Sequence, residues 1–182
     1  MPYVPPPELA GLSLAQIAEQ VAARKLPPVE QWSPQERGES HMRIATDGNW
    51  YHEGSRITRP AMVRAFSGLL LRDNAGQHWL VTPIQKLAIK VEDAAFVATD
   101  VSQTEGTLAF RLNTDELVVA GPQNPIHAAG DADAPALYIA VRRGCEARLN
   151  RSTYEQLAQI ALDGGDDWTV TSAGASFSLL PA

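Results

Sequence analysis

The chain has a single cysteine, Cys145, among its 182 residues. No internal disulfide can therefore form, and we expect a reducing compartment. No apolar run approaches the roughly 18 residues that a membrane helix needs. The N-terminal residues lack the basic start and the apolar stretch of a secretory signal peptide. We therefore expect a cytoplasmic protein that has no membrane partner.

The signatures of common catalytic and metal sites are also missing. There is no Gly-x-Ser-x-Gly elbow, no phosphate loop and no Gly-x-Gly-x-x-Gly after a strand. None of the histidines has a second ligand at zinc-site spacing; they are His41, His52, His78 and His127. The sequence therefore predicts no metal, no cofactor and no catalytic residue.

Three further residues with reactive side chains fit structural roles better than catalytic ones. Glu92 and Asp93 are adjacent on a predicted strand, so their carboxylates point to opposite faces and do not suit shared acid–base work. We expect one of these carboxylates to pair with an arginine of the repeated phrase described below, Arg56, Arg59, Arg148 or Arg151. Cys145 follows a turn glycine near several arginines, and we interpret it as a small, half-exposed residue.

Charge is unevenly distributed along the chain. The net charge is −6 and the pI is about 5.2, which argues against a nucleic-acid partner, because such proteins present a basic face. Residues 142–151 nevertheless hold four of the fifteen Lys and Arg residues, beside one acid, Glu146. A concentrated basic spot on an acidic chain fits a small anionic ligand better than a polyanion.

The N-terminal region is predicted to be a helix followed by a link. Ser13 and Gln16 form a capping-box pattern at the start of a helix that runs from Leu14 to about Arg24. Residues 26–40 are polar and Pro-rich, which is typical of a connecting segment. We place residues 1–40 outside the two predicted cores.

The first core is predicted over residues 41–103. Asp47-Gly48-Asn49 predicts a hairpin turn, because Asp-Gly favours the turn that strand twist requires. Pro60 suits the first position of a helix whose apolar face extends to Leu70. Further strands are predicted over residues 79–82, 87–91 and 95–98.

The second core is predicted over residues 104–182. A hairpin turns at Asn113-Thr114-Asp115, and residues 121–135 have the composition of a loop. Ser152 and Glu155 form a capping-box pattern for a helix that ends near Leu162. Other strands are predicted over residues 137–141, 146–150, 168–172 and 176–180. Strands outnumber helices without regular alternation, so the predicted class is α+β and mostly antiparallel.

A short phrase occurs twice in the chain. Arg56-Ile57-Thr58-Arg59 and Arg148-Leu149-Asn150-Arg151 each end a predicted strand and begin a predicted helix. A helix start carries free N–H groups and the positive end of the macrodipole, so arginines there favour an anion. The repetition suggests a duplicated domain with a charged ligand nearby. The alternative is that these arginines pair with acids or carbonyls.

Several motifs in order resemble a bacterial family, the domain-of-unknown-function family 1285. The resemblance spans roughly residues 10–180. It rests on Asp47-Gly48-x-Trp50, Gly54-x-x-Ile57-x-Arg59, Leu80-Val81-Thr82-Pro83, Ile89-x-Val91-Glu92-Asp93-x-x-Phe96 and Glu146-Ala147-x-x-x-Arg151. The chain has Gln85 and Ala95 where the family pattern has Glu and Pro.

The resemblance implies a duplicated α+β core whose second half is similar to a pleckstrin-homology fold. It also implies a cleft between the halves for a nucleotide-like molecule, and a signalling role. Trp50 would stack on a base, or else fill the core. The ligand-binding candidates are Trp50, Arg56, Arg59, Thr82, Lys86, Glu92, Arg148 and Arg151.

Together these patterns favour a non-catalytic sensor or adaptor that binds a small anionic, nucleotide-like ligand. The alternative function is a protein–protein interaction module that takes no small ligand. An enzyme of unusual chemistry ranks third, because no constellation of residues supports a reaction.

Overall fold

The structure is a computed structural model that describes residues 8–165 and 167–182. The predictions made for residues 1–7 and for Asp166 lie outside this part of the chain. The helices are α1 (Leu14–Ala23), α2 (Pro60–Ser67) and α3 (Arg151–Gly164). The strands are β1 (Glu36–Ile44), β2 (Trp50–His52), β3 (Ser55–Arg56), β4 (Leu70–Arg72), β5 (His78–Val81), β6 (Gln85–Val91), β7 (Phe96–Thr104), β8 (Thr107–Leu112), β9 (Leu117–Val119), β10 (Ile126–Asp131), β11 (Ala134–Arg142), β12 (Cys145–Leu149), β13 (Thr169–Ser172) and β14 (Ala175–Ser178).

The described residues form two compact units. The first unit holds Lys25–Ala95 together with the turn Arg142–Cys145. The second unit holds 8–24, Phe96–Val141 and Glu146–Ala182. Strand β7 therefore belongs to the second unit, whereas the sequence patterns had set the end of the first core after residue 103. Helix α1 also belongs to the second unit instead of preceding both cores.

Each unit contains a six-stranded mixed sheet, and the two sheets have the same topology. The strand orders are β3-β2-β1-β6-β5-β4 and β10-β11-β12-β7-β8-β9. In each sheet the first and the sixth strand pair in parallel at the centre, as β1 with β6 and β7 with β12. An antiparallel run of three strands extends outward on either side. The predicted α+β class and the duplication are confirmed.

The hairpin between β1 and β2 forms as its turn sequence predicts. Gly48 has a φ of +87°, a conformation that costs glycine nothing, and Asn49 N donates to Asp47 Oδ1 at 2.9 Å. The turn sets the register, so that Ile44 lies opposite Trp50 and Arg43 lies opposite Tyr51. One face of the hairpin is therefore apolar and the other carries Arg43.

The first unit has its core on the apolar face of its sheet. Ile44, Trp50, Leu70, Leu80 and Ile89 are each no more than 4% exposed. Helix α2 covers part of this face, since the ring of Phe66 stacks on the ring of Trp50, with centroids 6.3 Å apart.

The second unit buries both faces of strand β8. Leu108, Phe110 and Leu112 are fully buried on one face. On the other face Ala109 packs in a cluster with Ile17 of α1. The capping box that the sequence predicted at the start of α1 is present: Ser13 Oγ accepts from Gln16 N, and Gln16 Oε1 accepts from Ser13 N.

Several local predictions are wrong. Residues 126–131, predicted as loop, form β10, which pairs with β11 from Ile126 to Asp131. Leu70, predicted on the face of α2, begins β4, because the helix ends at Ser67. Helix α3 is capped by Asn150, whose side chain accepts from Thr153 N at 2.9 Å, and not by Ser152. Cys145 is buried and not half-exposed.

Candidate functional site

A row of charged and aromatic residues crosses the sheet of the first unit. Arg56 lies opposite Tyr51, Tyr51 opposite Arg43, and Arg43 opposite Lys90. Residues directly opposite each other on neighbouring strands share a face of the sheet. The row therefore spans β3, β2, β1 and β6 on the face opposite to Trp50.

The centre of this row is held by contacts of Arg43. Its guanidinium carbon lies 4.3 Å from the centre of the Tyr51 ring, a cation–π distance. Its Nη1 donates to Glu92 Oε1 at 3.1 Å. Glu92 therefore pairs with an arginine that lies outside the repeated phrase. Tyr51 remains half-buried, so part of it reaches the surface.

The two ends of the row carry cations with fewer contacts. Arg56 and Lys90 are exposed, and neither forms an ion pair within residues 8–165 and 167–182. Arg56 is on the short edge strand β3. The positive charges at these ends are therefore available to an anion.

A second basic pair lies further along the same face. Arg37 lies opposite Lys86, and Trp79 lies on the neighbouring strand opposite Ala88. The Lys86 ammonium is 4.7 Å from the Trp79 ring centre, and the Arg37 guanidinium is 5.7 Å away. Both cations therefore lie close to the same aromatic ring.

Trp79 is oriented by an acid at the end of β4. Its Nε1 donates to Asp73 Oδ2 at 3.0 Å. This hydrogen bond is the main reason that the pKa of Asp73 is lowered, and backbone N–H groups of Gln77 and Ala75 add to it. Asp73 thus stays ionised and holds the indole in place.

We call this surface the basic face. Its cations are Arg37, Arg43, Arg56, Lys86 and Lys90, and its aromatic residues are Tyr51 and Trp79. The carboxylates that lie on it or contact it are Glu39, Glu92 and Asp73. Positive charge is in excess there although the whole chain is acidic.

The chain matches models of one family over most of its length. The N-terminal domain of a domain of unknown function, DUF1285, matches residues 27–94, and the corresponding C-terminal domain matches residues 95–179. The chain belongs to the DUF1285 family. The boundary between the two matches falls where β7 begins.

Solved structures of DUF1285 proteins share the fold. A crystal structure of a family member from Silicibacter pomeroyi DSS-3 is 38% identical, covers 93% of this chain and 96% of its own, and has a TM-score of 0.78. A second, from Shewanella baltica OS155, is 20% identical, covers 65% of this chain and 90% of its own, and has a TM-score of 0.54. The second shows the likeness of fold alone. A search of curated proteins gave no match.

The basic face includes three of the candidates that the sequence indicated. Arg56 and Lys86 lie on it, and Glu92 contacts it through Arg43. Trp50 lies on the opposite face, 1% exposed, so the core-filling alternative is the correct one. Its Nε1 has no hydrogen-bond partner among the described residues. Thr82 exchanges hydrogen bonds with Gln85 in the turn before β6.

The other candidate arginines lie at the helix starts. Arg59 is exposed at the N-cap position of α2, where no side chain caps the helix. Arg148 is exposed on β12. Arg151 begins α3, is 93% exposed and pairs with Glu155 one turn later. Their role in binding a ligand stays a prediction.

The repeated arginine phrase does not mark equivalent places in the DUF1285 duplication. Arg56 ends β3, the third strand of its sheet, whereas Arg148 lies on β12, the sixth strand of the other. Helix α2 joins the two halves of its sheet, while α3 follows a completed sheet. The inference of a duplicated fold is confirmed, but the phrase from which it was drawn is not a trace of that duplication.

Part of the predicted basic spot is structural. The Arg143 side chain is only 5% exposed; it pairs with Glu30 and donates to Gly68 O at 2.7 Å and Pro27 O at 2.6 Å. Arg142 Nη2 donates to Ser67 O at 3.2 Å. The interpretation of residues 142–151 as one anion-binding spot is therefore wrong for Arg143.

Sequence reasoning missed most of the basic face. The pairing of Arg43 with Tyr51 follows from the Asp47-Gly48 turn and could have been derived. The contacts of Arg37 with Trp79 depend on the parallel pairing of β1 with β6, which local patterns do not encode.

Two global features complete the description of this DUF1285 chain. Among the residues described, no group of three or more metal-ligating side chains is found. No helix in the same set is long and apolar enough to cross a membrane.

Proposed function

We propose that this chain is a cytoplasmic, non-catalytic sensor or adaptor that binds a small anionic, nucleotide-like ligand on the basic face. The observation that carries the proposal is the register that aligns Arg56, Tyr51, Arg43 and Lys90 in one row. A nucleotide combines an aromatic base with phosphate oxygens, and the row combines an aromatic ring with cations. The signalling role follows from a binding protein that performs no reaction.

The chemistry of the face supports recognition of phosphate. Guanidinium and ammonium groups form charge-assisted hydrogen bonds with phosphate oxygens, each with a net value of about 1.5–3 kcal/mol. Arg56 and Lys90 are exposed and have no ion pair in the described part of the chain. They are therefore the residues that we expect to contact the anion.

The aromatic rings support recognition of a base. Stacking of a base on an aromatic side chain contributes about 1–3 kcal/mol. Tyr51 and Trp79 are half-buried on this face. Each already carries a cation over its ring, and such a ring is anchored before the ligand arrives. A nucleotide is the preferred ligand because its base would also contact the aromatic rings, whereas inorganic phosphate would contact only the cations.

The proposal assigns no reaction to the face. Its carboxylates are engaged: Glu92 binds Arg43, Asp73 binds the Trp79 indole, and Glu39 accepts from the His41 N–H. The lowered pKa of Asp73 makes that carboxylate a weak proton acceptor.

The test is a binding titration of the full chain with AMP, adenosine and inorganic phosphate, followed by calorimetry and thermal shift. We expect AMP to bind most tightly, because its base would stack on an aromatic ring while its phosphate contacts the cations. The double variant Arg56→Gln with Lys90→Gln is expected to weaken AMP at least about tenfold, which corresponds to loss of one net charge-assisted bond.

The matched control removes the same charge elsewhere. Arg59→Gln with Arg151→Gln neutralises two exposed arginines at the helix starts, neither of which belongs to the row, and should leave AMP affinity within about twofold. If this pair weakens AMP and the first pair does not, the helix starts and not the basic face bind the ligand. If none of the three compounds binds, the proposal fails.

The alternative function is a protein-interaction module. One observation favours it: Ile84, in the turn before β6, is 73% exposed, more than any other large apolar side chain among the described residues. A partner that binds through this turn would lose affinity with Ile84→Ser while AMP binding stayed unchanged.

A further inference from the structure

The second unit contains a pocket of about 300 Å³ that the proposed function does not use. Pro135 and Leu137 of β11 form one wall, and Tyr154 and Ala158 of α3 form another. Leu179, which follows β14, closes the end. All of these residues belong to the second unit.

Helix α3 is fixed so that its pocket side stays open. Thr153, Leu157 and Ala161 are buried at successive helical turns and anchor the helix on the sheet. Tyr154 and Ala158 lie one turn apart on the adjoining stripe, so both reach the pocket. Because the side chain of Ala158 is only a methyl group, the wall of α3 is recessed there.

The rim of the pocket carries exposed apolar groups. Trp168 is 37% exposed and Leu180 is 43% exposed. Two large apolar side chains beside one opening are more than scattered exposed residues, and such patches mark binding sites.

Trp168 is held in an unusual backbone conformation. Its φ is +53°, which costs a bulky residue about 1–2 kcal/mol. Four other non-glycine residues with positive φ precede a glycine in a tight turn, but Trp168 precedes Thr169; the four are Glu53, Glu105, Arg143 and Ala173. Leu179 is buried, and its N–H donates to Trp168 O at 2.8 Å, which holds the strained residue at the rim.

Polar groups with spare hydrogen-bonding capacity lie in the same lining. The Tyr154 hydroxyl, the Trp168 Nε1–H and the Asp133 carboxylate form no hydrogen bond within the residues that the structure describes. Among the described residues that line the pocket, Asp133 is the charged one and none is a cation. Asp131 and Asp167 adjoin the lining residues in sequence and add negative charge.

We propose that this pocket binds a small aromatic ammonium compound with a ring system of about indole size. An apolar cavity of about 150 Å³ holds a benzene, so 300 Å³ fits a bicyclic ring. The ring enters between Leu137 and Ala158, Tyr154 and Trp168 contact its faces, and the ammonium group lies at Asp133. Apolar walls with a few convergent polar groups are the usual form of a ligand site.

The test uses three probes that share one ring: tryptamine, indole and indole-3-propionate. Each is titrated into the full chain and followed by saturation-transfer NMR and calorimetry. We expect tryptamine to bind best, since indole lacks the ammonium group and indole-3-propionate carries a carboxylate that Asp133 repels. A preference for indole-3-propionate would overturn the proposal, as would a failure of tryptamine and indole to bind at millimolar concentration.

Variants locate the binding. Ala158→Leu fills the recess with a strong helix former and should weaken tryptamine and indole at least about tenfold. Its control, Gln159→Leu, places the same residue at the next, exposed position of α3 and should leave both affinities unchanged. Equal binding by Ala158→Leu and the natural chain would exclude this pocket.

A charge variant tests the ammonium site separately. Asp133→Asn should weaken tryptamine about two- to fivefold, the range of an exposed ion pair, and leave indole unchanged. Glu105→Gln, an equal charge change in the exposed turn before β8, should alter neither. Should Ala158→Leu fail to fold, Trp168→Ala on the exposed rim takes its place and is expected to weaken all binding. Unchanged tryptamine affinity in both Asp133→Asn and Trp168→Ala would contradict the proposal.

Discussion

The guanidinium of Arg143 is nearly enclosed, and each of its bonded partners lies within the first unit. It bonds Glu30 and the carbonyl oxygens of Gly68 and Pro27. A planar fork of five donors can satisfy three acceptors at once, which a lysine cannot do in the same geometry. In the sequence Arg143 resembles a ligand-binding arginine, but in the structure its role is structural, because it binds Glu30, Gly68 and Pro27.

Substitution of Arg143 should therefore destabilise the fold. Arg143→Ala leaves two carbonyls and a carboxylate without their charged donor, and we expect the free energy of unfolding to fall by about 2–4 kcal/mol. Urea denaturation measures the change. Arg151→Ala, which removes a 93% exposed arginine, should cost less than about 1 kcal/mol. Equal effects of the two substitutions would refute the structural role.

The same contact predicts a pH dependence. The hydrogen bond from Arg143 is the main reason that the pKa of Glu30 is lowered, so folding favours the ionised carboxylate. The resulting stability is complete above the unfolded pKa of about 4.3 and is lost as the pH falls through the folded value. Glu30→Gln should therefore flatten the loss of stability below about pH 4.3. Because Glu30 is 59% exposed, solvent screening keeps the effect small. If the free energy of unfolding of Glu30→Gln falls below about pH 4.3 as steeply as that of the natural chain, the assignment is wrong.

At Gly144 both the backbone conformation and the lack of room for a Cβ atom require glycine. Its φ is +77°, and a Cβ there would lie 2.6 Å from Arg72 O. Gly106 has a similar φ of +74° but open space around it. We expect Gly106→Ala to cost about 1–2 kcal/mol and Gly144→Ala to cost about 1–3 kcal/mol more. Thermal unfolding of the pair tests this; equal costs would mean that the clash is relieved without strain.

At the scale of elements, the residue that caps α3 differs from the one that the sequence pattern indicated. Asn150 Oδ1 accepts from Thr153 N, while Ser152 bonds only the exposed Gln156 side chain. Asn150→Ala should lower stability by about 1 kcal/mol, and Ser152→Ala should leave it nearly unchanged. Chemical denaturation of both variants decides between them, and the reverse order would restore the cap predicted from sequence.

Elements governed by adjacent residues were predictable, and those governed by distant partners were not. The Asp47-Gly48 turn and the Ser13–Gln16 capping box carry their own signals, and both are present. Strand β10 has a weak pattern of alanine and glycine, and it is a strand because β11 pairs with it along its length. Leu70 fits helical spacing, but α2 ends first and the chain turns into β4.

At the scale of the whole molecule, the duplication was inferred from the wrong clue. The two sheets share a topology in which the first and sixth strands pair in parallel. That pairing joins residues some 50 positions apart, as Glu36 with Gln85 and Phe96 with Ala147, and no local pattern reveals it. The arginine phrase reflects a recurrent strand-to-helix junction.

The candidate site was predictable only in fragments for the same reason. Arg56, Lys86 and Glu92 were singled out one by one from local patterns. Their common face depends on pairing between β1 and β6, which also brings in Arg37, Arg43 and Lys90. The sequence identifies the charged residues, and the register of the strands determines which of them lie on one face.

The most direct measurement of the central claim is an amide NMR titration of the full chain with AMP. We expect the largest changes in amide chemical shift at Tyr51, Arg43, Arg56 and Lys90. We expect the double variant Arg56→Gln with Lys90→Gln to remove these changes. Changes confined to the helix starts at Arg59 and Arg151, or no change at millimolar AMP, would contradict the claim.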